Sequence, residues 1–566
     1  MKKAIFEGIY LCMAICGFCG GLWLSGYHTF DTIKMKPVKP MRHIPDTADF
    51  GAYLAGLLAR DNQDVARAAE YYERAYLGDV ENKALQVELY LLSGLAGKTD
   101  RFIQTAKEIS GRKKSYYAPL FLSADALGRG AYEEALSFIP RLFPQSEGIR
   151  FVLSRVLQAW SFAGLGERDK AYKALKPLET GDLSHFYWYQ RALLGLYFNQ
   201  PDIVTEAFNQ MALGDMPTVT ALLVARHFYV SQNQWHADTP LYQTYQNTMK
   251  NNPALQEVLI TRTEEFAETT PQMGVAEAFF MISTLVGGED SGAETGLMFN
   301  QIAMLLVPHS DIYKIWSAEQ FEAVKYYTEA NRLYDSIKQQ SATVLFKKAL
   351  NLMLMNENEQ AEQILTALFL KMPRDIMLAE MLGNLYRDTH RPALAADYYT
   401  KALALSDEND KKHTGGLYFS RAMAYEMMKN AVARDADLQT ALTLMPDNAE
   451  VLNFLGYVWV EDGKNLDMAM DYIYRALQLT PKKPHIWDSL AWGYYKQGNC
   501  KKALSYAEQA ADAMPYSALV QSHLGDIYFA LGRKREAGYQ YHKALNLKAD
   551  MTEALRSELI RKLSVR

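Results

Sequence analysis

At 566 residues, the chain is several times longer than one compact domain, so it must consist of several domains or of repeated units. Hydrophobic residues make up 49% and charged residues 22% of the sequence, which excludes an intrinsically disordered chain. The formal net charge of -5 gives no electrostatic reason to expect the concentrated basic surface that nucleic acid binding requires, and we expect no nucleic-acid partner.

Residues 1–27 contain an apolar segment without a charged residue from Gly8 to Tyr27. The length of this segment lies between that of a long signal-peptide core and that of a helix that just spans a bilayer. Its three cysteines follow Leu, Ile and Phe, so a lipoprotein site is poorly supported, and small residues are incompletely placed for cleavage. We predict a signal peptide or membrane anchor, with a buried first helix as the alternative.

Residues 28–48 form a predicted tether. They include Pro37, Pro40 and Pro45. Because proline lacks a backbone donor and clashes with the preceding helical turn, this segment cannot continue a helix.

Residues 49–276 carry weak repeats. Gly56 is followed at 12, 16 and 19 residues by Ala68, Tyr72 and Ala75. This spacing predicts helix pairs that begin near residues 49, 83, 116, 152 and 188. Residues 222–276 fit the pattern poorly, and we predict only that they are helical.

Residues 277–551 repeat more clearly, with a period of about 34 residues. Tyr386, Ala395, Tyr399 and Ala402 follow Gly383 at offsets of 3, 12, 16 and 19. The same offsets from Gly525 reach an identical set of residue types: Tyr528, Ala537, Tyr541 and Ala544. Units are predicted to begin near residues 277, 311, 342, 376, 415, 449, 484 and 518. Near Asn465 the spacing contains one extra residue.

The alternation of small and large residues has a physical purpose. Gly383 and Ala395 leave room for a facing helix, and Tyr386 and Tyr399 fill the space between the two helices. Each helix pair then buries one face against the next pair, which produces a superhelix with a concave surface. Residues 552–566 are predicted to form a capping helix, with leucines at four-residue spacing facing inward.

These residues and spacings resemble the tetratricopeptide repeat (TPR) family. The resemblance implies an all-α, TPR-type helix-turn-helix superhelical solenoid of about 12 to 14 repeats, preceded by the amino-terminal signal or anchor. It also implies that the chain binds other proteins or peptides.

In this register the concave surface is lined by inward positions of the first helix of each unit. Aromatic rings between single polar groups suit an extended peptide or a helix, and we expect Trp492 and Tyr495 to contribute most to binding. The alternative is that these side chains pack between repeats. The candidate partner-binding residues are Asn384, Arg387, Phe419, Met423, Asn453, Tyr457, Asp488, Trp492, Tyr495, Asp526 and Phe529.

No motif in the sequence indicates catalysis. The 11 histidines show no metal-ligand spacing, and neither a phosphate-binding loop nor a GxSxG elbow occurs. Cys500 is the one cysteine outside the first twenty residues, so the body has no internal disulfide or Cys-rich metal site. We therefore predict no enzyme and no catalytic, cofactor-binding or metal-binding residues.

The last hundred residues, including LNFLGYVWVEDGKNLDMAMDYIYRALQLTP, resemble more narrowly a group of long envelope TPR proteins of Gram-negative bacteria. Some of these are lipoproteins that act as adaptors for a carboxyl-terminal processing protease. This resemblance implies a non-catalytic adaptor on the periplasmic side of the bacterial envelope, associated with the membrane through its amino terminus, which presents clients to a protease or cell-wall enzyme. The alternative is a cytoplasmic or inner-membrane assembly scaffold.

Overall fold

The computed structural model describes residues 49–110, 117–139, 148–180, 184–213, 217–251, 268–287, 293–338, 340–407, 409–547 and 551–564. The predicted apolar segment 1–27 and tether 28–48 lie outside these ranges. The regular structure of the described residues is helical throughout, without a β-strand. Two compact units divide the chain, Met1–Ile364 and Leu365–Arg566, called here unit 1 and unit 2.

Unit 1 consists of consecutive short helices. In chain order they are α1 (Phe50–Asp61), α2 (Val65–Gly78), α3 (Lys83–Leu95), α4 (Thr99–Ile109), α5 (Ala118–Gly128), α6 (Tyr132–Phe138), α7 (Ile149–Gly164), α8 (Arg168–Leu175), α9 (Ser184–Tyr197), α10 (Pro201–Ala212), α11 (Val219–Ser231), α12 (Tyr242–Asn251), α13 (Pro271–Gly287), α14 (Ala293–Leu306), α15 (Asp311–Ala323), α16 (Tyr327–Asp335) and α17 (Ala342–Leu354). A 3₁₀ turn, Lys176–Leu178, follows α8, and α18 (Asn358–Lys371) contains the boundary between the units.

Unit 2 continues with five helix pairs and a single last helix. Its helices are α19 (Ile376–Asp388), α20 (Pro392–Leu405), α21 (Lys411–Met427), α22 (Ala431–Leu444), α23 (Ala449–Asp462), α24 (Leu466–Leu479), α25 (Pro484–Lys496), α26 (Cys500–Ala513), α27 (Ala518–Ala530), α28 (Lys534–Asn546) and α29 (Glu553–Ser564). The predicted unit starts at 376, 449, 484 and 518 coincide with helix starts, and the start predicted near 415 lies at Lys411.

Local chemistry explains why many helices begin where they do. The Asp375 carboxylate accepts the backbone N–H groups of Met377 and Leu378 at 3.0 and 3.1 Å, and Asn448 caps α23 in the same way. Such side chains satisfy donors that have no partner within the first helical turn. Proline occupies the first position of α25, where its missing N–H is not needed.

The paired helices approach most closely where glycine faces tyrosine. A Cβ atom on Gly383 would lie 2.6 Å from Tyr399 Cε1, and one on Gly525 would lie 2.4 Å from Tyr541 Cε1. In unit 1, a Cβ on Gly56 would lie 2.6 Å from Tyr72 Cδ2. All three pairs have the predicted separation of 16 residues. Each tyrosine ring therefore occupies the space that a larger residue would fill.

The extra residue near Asn465 shifts this contact by one position. A Cβ on Gly456 would lie 2.6 Å from Ile473 Cγ1, and Ile473 follows Gly456 by 17 residues. Asn465 has a left-handed backbone with φ of 47° immediately before α24, which accommodates the additional residue. The insertion is absorbed in the turn, and the helix pair is preserved.

Unit 1 differs from a simple stack in which each repeat contacts only its neighbours. Helix α13 packs against α7 and α9, and α14 packs against α3 and α5. The close fit depends on Gly274, because a Cβ there would lie 1.9 Å from Trp160 Cε2. Gln190 links the two residues, since its Oε1 accepts from Trp160 Nε1 at 2.6 Å and its Nε2 donates to the Gly274 carbonyl at 3.1 Å.

A buried carboxylate on α13 also links this helix to α9 and α15. Glu277 on α13 accepts hydrogen bonds from the hydroxyls of Tyr189 and Tyr313 at 2.8 and 2.5 Å. The sequence placed a boundary between residues 276 and 277, whereas these contacts place that position inside unit 1. The compact units divide instead after Ile364.

The last helix, α29, covers the end of unit 2. Leu559 is fully buried, and Leu555 and Leu563 are half-buried. Lys562 Nζ lies 2.7 Å from Asp526 Oδ2 and 3.3 Å from Ser522 Oγ. The predicted capping helix therefore closes the apolar end of the stack and adds an ion pair.

Replacing Gly383 with leucine should lower the free energy of unfolding of unit 2 by about 1 to 3 kcal/mol, because the new side chain must displace the Tyr399 ring. Thermal and denaturant unfolding followed by circular dichroism would measure this loss. Since stability in a repeat array is shared between neighbours, we also expect a broadened or split transition.

The matched control is Gly416→Leu in α21, where an added Cβ meets no atom within 4 Å. This variant should unfold like the wild type or be slightly more stable, since glycine is a poor helix former. Equal stability of the Gly383→Leu variant and the wild type would show that the close approach at Gly383 does not limit the packing.

Candidate protein-binding face of unit 2

The first helices of successive pairs lie side by side in unit 2. Helix α25 contacts both α23 and α27, and α19 contacts α21. This arrangement places the eleven predicted partner-binding residues on adjacent helices, and we call their surface the inner face. Phe529 is 41% exposed, and Asn453, Asp488 and Trp492 are at most 7% exposed. The other seven are half-buried.

Two polar residues of the inner face bind Tyr399 and Tyr541, the tyrosines that pack against Gly383 and Gly525. Asn384 Oδ1 accepts from the Tyr399 hydroxyl at 2.8 Å, and Asp526 Oδ1 accepts from the Tyr541 hydroxyl at 2.8 Å. Asn384 directly follows Gly383, and Asp526 directly follows Gly525. These side chains thus hold the helix pairs together.

Trp492 is part of a stack of rings. The centroid of its ring lies 4.0 Å from that of His523 and 4.8 Å from that of Tyr495, with interplanar angles of 16° and 19°. Its indole N–H donates to Glu461. Because the ring is buried against its neighbours, Trp492 packs between repeats in this structure, as the alternative interpretation stated. Its predicted contribution to partner binding stays a prediction.

Asp488 pairs with His523, which is one of the rings of this stack. Its two carboxylate oxygens lie 3.1 and 3.0 Å from His523 Nδ1, and both side chains are buried. Burial disfavours the charged imidazole, but the adjacent Asp488 carboxylate outweighs this effect and raises the pKa of His523. The pair joins α25 to α27.

The half-buried residues of the inner face have less cover. Phe419 on α21 meets the Phe454 ring edge-on at a centroid distance of 5.7 Å. Arg387 Nη1 donates to the Tyr399 hydroxyl at 3.3 Å, and Arg387 Nε donates to Asp388 at 3.0 Å. Burial raises the pKa of Tyr457, with further contributions from Glu461 and Asp488. Aromatic and non-aromatic side chains therefore share the accessible part of the inner face, and Phe529 is the most exposed of its residues.

Two residues that hold the repeats of unit 2 together, Arg434 and His523, are not among the predicted partner-binding residues. Arg434, 2% exposed, replaces the small residue expected in the second helix. Its guanidinium contacts Glu426 at 2.5 Å and both Asp435 and Asp462 at 2.7 Å, which ties three helices together. Its partners lie 8 residues before it and 1 and 28 residues after it, which is neither helical nor repeat spacing, so the sequence pattern does not reveal this cluster. His523 was missed because nothing near it in sequence identifies Asp488 as its partner.

Neither a metal site nor a membrane span is found in the part of the chain that the structure describes. No group of three or more His, Cys, Asp and Glu side chains there is arranged to hold a metal ion. None of the described helices is both long enough and apolar enough to cross a membrane.

Stacked antiparallel helix pairs with a small-residue seam define an α-helical repeat protein. Residues 489–554 match the family model of the tetratricopeptide repeat. The chain is also 34% identical over 110 residues to the TPR repeat-containing protein PA4667 of Pseudomonas aeruginosa, across 19% of this chain and 18% of that protein. The match thus spans under a fifth of the relative. Residues 489–554 of the chain are therefore tetratricopeptide repeats, and the sequence pattern and helix pairs of the rest of unit 2 agree with this.

Three solved structures are similar to the chain at low identity. A tetratricopeptide repeat protein from Parabacteroides merdae is 15% identical over 45% of this chain and 98% of its own, with a TM-score of 0.39. The Cut9-Hcn1 structure is 14% identical over 90% of this chain and 95% of its own, with a TM-score of 0.37. PilW is 17% identical over 39% of this chain and 99% of its own, with a TM-score of 0.33.

We predict that unit 2 loses stability as the pH rises above the ordinary histidine pKa of 6.5. Because the folded-state pKa of His523 is raised, its pairing with Asp488 stabilises fully below the unfolded pKa and is lost as the pH rises through the folded pKa. Denaturant unfolding at a series of pH values would measure the decline.

His523→Gln should reduce this slope, and the exposed His542→Gln should leave it unchanged. Part of the slope should remain in His523→Gln, because the hydrogen bond to Glu380 also raises the pKa of His413. A His523→Gln variant with the full wild-type slope would contradict the prediction.

Proposed function

We propose that this protein-protein interaction scaffold is a non-catalytic adaptor of the bacterial envelope. In this role it presents client proteins to a periplasmic processing protease or cell-wall enzyme. The observation that carries the binding role is the state of the inner face: its charges are paired within the fold, and aromatic side chains remain accessible. Asp526 pairs with Lys562 at 2.7 Å, and Asp488 pairs with His523.

This distribution of charges favours a partner that binds through apolar and aromatic contact. A charged partner would have to compete with the ion pairs that stabilise the repeats, which costs desolvation without a new charge being neutralised. Accessible rings contribute contact area with little loss of conformational entropy. Phe419 and Phe529 are therefore the anchors that we expect on the inner face.

Alanine at Phe419 and at Phe529 together should weaken partner capture by more than about tenfold, because anchors of this kind contribute about 2 kcal/mol or more. The partner would be isolated from membranes by affinity capture of the full-length protein and identified from its peptides. Its affinity for each variant would then be measured by titration.

Tyr539→Ala is the matched control, since Tyr539 lies on the second helix α28 and is 72% exposed. It should bind like the wild type, and circular dichroism should show all variants folded. Unchanged binding by the folded double variant would remove the inner face as the binding surface. Trp492→Ala is less informative, because loss of this buried ring should destabilise unit 2 itself.

Two features of the sequence support the proposed envelope location. The uncharged segment from Gly8 to Tyr27 is typical of an export signal or anchor. The resemblance of the last hundred residues to envelope adaptors agrees with this location.

The alternative is a cytoplasmic or inner-membrane assembly scaffold. The flank of a membrane segment with more basic residues tends to stay in the cytoplasm, and the flank that follows the apolar segment has more of them than Lys2 and Lys3 provide on the other side. These residues are Lys34, Lys36, Lys39 and Arg42.

A fusion of alkaline phosphatase after Phe50 should be enzymatically active, because the reporter folds only after export. A matched fusion that lacks residues 1–27 should be silent at equal expression. Activity assays on intact cells would measure both. A silent full-length fusion would overturn the envelope location and favour the cytoplasmic scaffold, without affecting the protein-binding role.

A further inference from the structure

The first helix of unit 1 exposes a stripe of apolar side chains. Phe50, Leu54 and Leu58 on α1 are 44%, 50% and 62% exposed. Because each is four residues from the next, the three lie on one side of the helix. The opposite side of α1 packs against α2, where Gly56 meets the Tyr72 ring. We call the exposed surface of these three residues the α1 face.

The corresponding surface is covered where a helix pair follows another pair. Leu58 comes two residues after Gly56, and Ile527 comes two residues after Gly525. Ile527 is fully buried, and its helix α27 packs against the preceding helix α26. Stacked helix pairs depend on such cover at each end of the array. Among the described residues, nothing covers the α1 face to this extent.

The chain just before α1 has an apolar residue at every third position. Proline at positions 37, 40 and 45 favours the extended polyproline II conformation, which has three residues per turn. In that conformation the apolar residues share one side and the basic residues that follow them share another. These residues lie outside the described ranges, so this conformation is an expectation from the sequence. The apolar series is Met35, Val38, Met41 and Ile44, and the basic residues are Lys36, Lys39 and Arg42.

The length of this segment matches that of α1. The chain from Val38 to Ile44 spans about 19 Å in polyproline II, and the 12 residues of α1 span about 18 Å. Pro45 suits the second position of a turn, which would reverse the chain before Asp49 caps α1. Since residues 45–48 alone join the segment to α1, closing this loop costs little conformational entropy.

Charge favours this segment over other covers of the α1 face. Asp61 is exposed on the same side of α1 as the apolar stripe, three residues beyond its last leucine. With Ile44 beside Phe50, both Lys39 and Asp61 lie about 16 Å further along the helix. A second copy packed about a two-fold axis would instead bring Asp49 of one chain near Asp61 of the other. An anionic bilayer would meet both carboxylates.

We propose that residues 35–45 dock on the α1 face and cover the open end of unit 1. The docked segment shortens the tether, because residues 28–34 alone remain between the apolar segment 1–27 and the body. Fully extended, these residues reach at most about 25 Å, whereas the whole tether reaches about 75 Å. Unit 1 is thereby held close to the apolar segment. This contact depends neither on the envelope location nor on partner binding at the inner face.

Photo-crosslinking of the full-length chain would test the contact. The photoreactive residue p-benzoyl-phenylalanine at the position of Leu58 should attach to a peptide between Met35 and Ile44 of the same chain, identified by mass spectrometry. The control places the same residue at Leu213, which is 81% exposed at the end of α10. Attachment of the Leu58 probe to a second chain would indicate dimerisation, and attachment to lipid or detergent would indicate a membrane contact. Either result, or a yield no higher than at Leu213, would overturn the proposal.

Met41→Asp should lower the crosslinking yield at Leu58 by about fivefold or more, because a carboxylate in an apolar contact loses its hydration. The matched control is His43→Asp, which adds the same charge outside the apolar series and should leave the yield nearly unchanged. Circular dichroism should show the helical body intact in both variants, since both positions precede α1. Equal yields from the two variants would show that the apolar series does not make the contact.

Discussion

The distance between the two helices of a pair is limited by a single contact, that of a glycine with a tyrosine ring sixteen residues later. Gly383 and Gly525 have no Cβ, and the rings of Tyr399 and Tyr541 fill that space. The tyrosine side chains are buried, but their hydroxyls reach the acceptors Asn384 and Asp526 at the helix surface. One residue thereby supplies both the apolar filling of a pair and a polar tie across it, and the pair can stack on its neighbours with a fixed geometry.

This contact also determines what the inner face offers to a partner. Asn384 and Asp526 are committed to the tyrosine hydroxyls, and Asp526 is further held by Lys562 of the last helix. Asp488 is committed to His523, whose ring covers Trp492. The polar side chains at the predicted inward positions are therefore already bonded to other residues of unit 2. Phe529 and the half-buried Phe419 keep exposed area on the inner face, which is why we expect recognition to depend on shape and apolar contact.

The repeat pattern of the sequence predicted much of unit 2. A recurring offset of 16 residues identified the seam contacts, and the shift to 17 at Gly456 and Ile473 confirmed the inserted residue near Asn465. The direction of an inward position followed from the register, but its exposure did not, because the cover comes from the next repeat: Trp492 is buried by His523. The packing of α13 against α7 could not be predicted from the sequence either. Trp160 and Gly274 are distant in sequence, and neither residue identifies the other as its contact.

The packing of α13 and α14 onto earlier helices has a consequence for how unit 1 is made. Trp160, Phe121 and Tyr189 are buried partly by residues of Pro271–Leu306, which lie far downstream in the chain. Contacts between residues so distant in sequence form slowly, because a long segment must first be ordered. The early helices of unit 1 therefore expose apolar surface during folding for longer than the helices of unit 2, in which each pair is covered by the next pair along the chain.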